Sequence, residues 1–85
     1  MSKIDNVFHQ RLVAQPQQSV SMIIRTQGDP TPHLPRLAEL GLEVGHIYTL
    51  VPGISATGSA AAALSLLDEE WVFKVEEDKP VRTME

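Results

Sequence analysis

Short runs of alternating apolar and polar residues recur along this chain, separated by proline and glycine. Val20, Met22 and Ile24 alternate with Ser19, Ser21 and Ile23 before Arg25 and Thr26 close the run. That period of two predicts a strand packed on at least one side. Gly28-Asp29-Pro30-Thr31-Pro32 marks a turn leading into a helix. Pro30, Pro32 and Pro35 keep this helix short, with Leu34, Leu37, Ala38 and Leu40 inward and Gly41 at its C-terminal end.

Residues 42–51 predict a second strand, with Val44, His46, Tyr48 and Leu50 on one face and Gly45, Ile47, Thr49 and Val51 on the other. Pro52-Gly53 forms a turn into a third strand at 54–57. Thr57, Gly58 or Ser59 then caps an alanine- and leucine-rich helix over about 59–67. In a fourth strand over 71–77, Trp71, Phe73 and Val75 oppose Val72, Lys74 and Glu76. The order strand–helix–strand–strand–helix–strand is the ferredoxin-like α+β pattern, a four-stranded antiparallel sheet with two helices on one face.

Residues 19–78 form this expected domain, flanked by an N-terminal extension at 1–18 and a polar tail at 79–85. In the extension, Ile4, Val7, Phe8 and Leu12 have helical spacing, ended by Pro16 and its neighbouring glutamines. The alternatives there are a short amphipathic helix and a disordered chain end.

At 85 residues the chain has room for one small domain, and an apolar fraction of 42% gives it an adequate core. The net charge is −4, and the seven basic residues are scattered singly, which argues against a nucleic-acid footprint. Cysteine is absent, so disulfides and thiolate metal sites are excluded. The first twenty residues carry Asp5, Asn6, His9, Gln10 and Arg11 where a signal peptide needs an apolar run. The run at 60–64 is too short to span a membrane. The expectation is a soluble cytoplasmic protein.

No catalytic constellation is legible, and the expectation is a non-enzymatic protein without a cofactor. His9, His33 and His46 fall in an extension, a turn and a strand, with no spacing suited to a metal. Gly53 to Ser59 (G-I-S-A-T-G-S) superficially resembles a phosphate loop, but lacks the lysine that reaches the phosphates. Glu69-Glu70 and Glu76-Glu77-Asp78 read as a solvated acidic edge rather than paired acid–base groups. The helix at 59–67 is apolar nearly all round, which suits either a plain helix-forming alanine surface or a partner or self-association face centred on Leu64.

The stretch from Val51 to Asp78, with Ser55-Ala56-Thr57 and Val75-Glu76-Glu77-Asp78 at their ungapped separation, resembles the propeptides of subtilisin-type serine proteases. It is similar also to the free-standing inhibitors built on that module. The resemblance covers the chain from about Val20 and is specific from Val51 to Met84. It implies the same ferredoxin-like fold and a subtilisin-like protease as partner.

It further implies that the outer sheet face, including Val72 and Lys74, packs on two parallel helices of the protease. Glu76 and Asp78 would cap the N-termini of those helices, where unsatisfied N–H groups and partial positive charge favour carboxylates. The tail would lie in the substrate cleft as an added strand. Met84 would then fill the primary specificity pocket and Val81 the second apolar pocket, with Arg82 and Thr83 between them. The short, proline-bearing first helix departs from the family, and Glu85 extends beyond the anchor. With no protease domain following, the resemblance implies a free-standing inhibitor or adapted binding module. The alternative is a ferredoxin-like small-ligand regulatory domain, acting as a homodimer through the Leu64 helix face.

Overall fold

The computed structural model describes residues 3–48 and 50–78. Helix α1 (Asn6–Ala14) precedes β1 (Ser19–Thr26); a 3₁₀ turn (Thr31–His33) runs into α2 (Leu34–Glu39), and β2 (Glu43–Tyr48), β3 (Gly53–Ser59), α3 (Ala60–Leu66) and β4 (Val72–Glu77) follow. The strands form one antiparallel sheet in the order β2-β3-β1-β4. From β1 onward this is the ferredoxin-like α+β fold, with α1 added in front.

Local chemistry sets the helix limits. Asp5 caps α1 by accepting from the Phe8 N–H at 3.1 Å. Ser59 caps α3 in the same way, its Oγ accepting from the Ala62 N–H at 3.1 Å. Helix α2 ends in a Schellman motif: the Gly41 N–H donates to the Ala38 carbonyl and the Leu42 N–H to the Leu37 carbonyl, both at 3.0 Å. Gly41 takes the φ of +85° that this ending requires, while Leu37 and Leu42 bury their side chains.

All three helices pack on one face of the sheet. Met22 and Ile24 of β1, Ile54 and Ala56 of β3, and Val72 and Val75 of β4 meet Leu37, Ala60, Ala63 and Leu66 there in one core. Ile4, Phe8 and Leu12, at helical spacing, join the same core. The connection after α1 also satisfies the start of α3, since Gln18 and Pro16 carbonyls accept from the Ala60 and Ala61 N–H groups at 2.8 Å. On β4, the Val75 N–H donates to the Lys3 carbonyl at 2.7 Å, and Ile4 bridges Val75 in parallel. The N-terminal segment is thus part of the domain's packing.

Two register shifts break the strict alternation. One lies in β2 at Gly45, so Val44 pairs with Ala56 while His46 pairs with Ser55, and these two side chains take opposite faces. The other lies in β4, where Val72 pairs with Thr26 and Lys74 with Arg25. Phe73 is the extra residue and stands 60% exposed. Val72 and Val75 therefore share the buried face, unlike the expected division of that strand.

A clamp joins the start of α2 to the loop before β4. The His33 and Trp71 rings stack with centroids 4.2 Å apart. Arg36 donates from Nε and Nη2 to Glu69 Oε2, at 3.1 and 3.0 Å. Trp71 Nε1 donates to Glu69 Oε1 at 2.9 Å. The Arg36 hydrogen bond, followed by that of Trp71, holds the Glu69 carboxyl below its ordinary pKa.

Candidate functional site

With the helices gathered on one side, the opposite face of the sheet has no element of the described chain over it. Its side chains form rows across the strands. Glu43, Thr57 and Ser21 make one row; His46, Ser55, Ile23 and Glu76 make the next; Tyr48, Gly53, Arg25 and Lys74 make the third. Serine, threonine and glycine occupy most of the central positions, so the middle of the face is flat. Ser21 and Thr57 hydroxyls approach to 3.3 Å across β1 and β3.

Glu76 stands on this face between two cations. Its Oε1 lies 3.3 Å from Arg25 Nε and its Oε2 lies 3.5 Å from Lys74 Nζ. Its side chain remains 30% exposed. Asp78 follows directly after β4, where its N–H donates to the Ser21 carbonyl at 3.1 Å. Strand alternation sends Glu77 to the helix side, and it pairs there with Arg11. The Arg11 guanidinium also lies over the Phe8 ring, 5.5 Å from its centroid.

The residues singled out from the sequence are placed as follows. Glu76 and Lys74 lie on the outer face, and Asp78 lies at its end. Val72 does not: it is fully buried beneath the helices, because the bulge at Phe73 separates it from Lys74. The tail residues Val81, Arg82, Thr83 and Met84 lie outside the described residues. Leu64 is half-buried and packs against the core.

Two further candidates have structural roles. The G-I-S-A-T-G-S segment is strand β3, and Gly58 lies under Leu42, whose Cδ2 would be 2.5 Å from a Cβ added there. Glu69 belongs to the Arg36–Trp71 clamp. No group of three or more metal-ligating side chains is found among the described residues. Nor is any helix among them long and apolar enough to cross a membrane.

Sequence reasoning missed the exposed apolar residues around the β2–β3 hairpin. Leu50 is 98% exposed and Val51 55%, with Ile47 and Tyr48 also open to solvent. The assignment of 42–51 to one continuous strand hid them, because strand β2 ends at Tyr48. Pro52-Gly53 marks the turn in the sequence, but the alternation runs on through Val51 and does not show that the strand ends at Tyr48.

A scan of protein-family models finds no match to this chain, and a search of curated proteins finds none either.

Proposed function

We infer that the chain is a non-enzymatic binding module that inhibits or chaperones a subtilisin-like serine protease. The observation that carries this reading is the bare, flat outer sheet face with Glu76 on it and Asp78 at its end. Such a face suits two parallel helices lying across it, because small central side chains let helix backbones approach closely. A carboxylate at the rim meets the unsatisfied N–H groups and partial positive charge of a helix N-terminus. Arg25 and Lys74 hold the Glu76 carboxylate over the face ready for that contact. The residues after Asp78 then run into the protease's substrate cleft as an added strand, with Val81 and Met84 as apolar anchors.

The test is titration of the purified protein into subtilisin with a chromogenic peptide substrate. Competitive inhibition at micromolar or tighter concentration is expected. Digestion of the protein without inhibition would overturn the inhibitor reading.

A further inference from the structure

We propose that a groove beside the β2–β3 hairpin binds a small carboxylic acid with an apolar body, of the arylalkanoate or branched aliphatic kind. The groove has a volume of about 480 Å³, within the range of small-ligand sites. It opens on the outer sheet face and owes its shape to Gly53, which sits between Tyr48 and Arg25 in the register. The missing side chain leaves a gap in that row. A Cβ at Gly53 would come within 3.1 Å of the Ile24 carbonyl oxygen, so the sheet is packed for glycine there. Ile23, Val51 and Pro52 supply apolar walls.

Charge selects the ligand class. Arg25 lines the groove, and Arg25 and Lys74 both pair with the single carboxylate of Glu76. Lys74 is not part of the groove lining, yet it draws on the same carboxylate, so Arg25 keeps an excess of positive charge beside the apolar wall. A neutral apolar ligand would leave that excess unmatched, and a polyanion would be poorly served by the hydrocarbon lining. A monocarboxylate satisfies both, since its charge meets a guanidinium donor and its body is removed from water. This site shares the outer face and Arg25 with the surface assigned to the protease, but it does not require that reading and is tested with no protease present.

The experiment is a titration of the ¹⁵N-labelled protein with 3-phenylpropanoate and, separately, with 3-phenylpropanamide, read by backbone amide shifts. Saturable shifts clustered at Ile23, Arg25, Tyr48, Val51 and Gly53 are expected with the acid, and binding about tenfold weaker with the amide. Arg25→Met should bring the acid down to the amide's level. Equal affinity for acid and amide would overturn the proposal, as would shifts centred elsewhere or no saturation at millimolar acid. The acid–amide comparison uses the unaltered protein, so it decides the matter even if Arg25→Met fails to fold.

Discussion

Val72 and Lys74 are two positions apart on one strand, yet their side chains lie on opposite faces of the sheet. Val72 pairs with Thr26 and is fully buried, while Lys74 pairs with Arg25 and has a 47% exposed side chain. The extra residue between them, Phe73, absorbs the change of face. Val72→Ala should therefore destabilise the domain by about 2 kcal/mol through the cavity it leaves. Lys74→Ala should change stability by no more than about 0.5 kcal/mol. Urea denaturation of the two variants checks this, and similar losses in both would contradict the bulged register.

Glu76 and Asp78 are the carboxylates assigned to the partner's helix ends. Replacing either by alanine is expected to weaken protease inhibition by about 1 kcal/mol per cap, roughly fivefold in the inhibition constant. Unchanged inhibition constants would remove the capping role while leaving the fold as it stands.

Deleting residues 81–85 should abolish competitive inhibition and leave the circular dichroism spectrum and denaturation midpoint unchanged, because the sheet and the core described above are built from residues 4–77. A truncated protein that still inhibits as well as the full chain would place the inhibitory contact elsewhere.

Phe8 is 3% exposed and packs in the main core. Phe8→Ala is expected to cost about 3 kcal/mol in a denaturant titration, a large share of what a domain this small possesses. A loss below about 0.5 kcal/mol would mean that α1 contributes no more than a surface site.

Glu69 has its carboxyl pKa lowered from an ordinary value of 4.5, first by its hydrogen bond from Arg36. A depressed carboxylate binds fewer protons in the folded state than in the unfolded one. Its contribution to stability is therefore present above 4.5 and lost as pH falls through the lower folded value. Glu69→Gln should show a smaller fall in urea midpoint than the parent protein on acidification from neutral pH through that range. Trp71, the only tryptophan and a partner of the same carboxylate, provides the fluorescence signal. Parallel losses in the two proteins would contradict the linkage.

The sequence by itself determined the element order and hence the fold class. Strand alternation at 19–26, the Pro-Gly turn before β3, Ser59 ahead of an alanine run and Gly41 after α2 are local signals. Each acts through backbone geometry within a few residues. The side of the chain on which Glu76 and Glu77 fall was legible for the same reason, since no bulge intervenes between them.

Only the tertiary structure decided which way the bulged strands face. The shifts at Gly45 and Phe73 depend on matching a partner strand remote in sequence, and period-two counting cannot register them. That is why Val72, expected on the outer face, is in the core. The fate of residues 1–18 was decided the same way. Their helical spacing allowed an amphipathic helix, but burial of Phe8 and Leu12 requires α3 and the sheet to be present. With α1 on the same side as α2 and α3, the opposite sheet face is left open among the described residues. The groove at Gly53 likewise exists only because β1, β2 and β3 meet there, bringing Arg25 and Tyr48 to either side of a missing side chain.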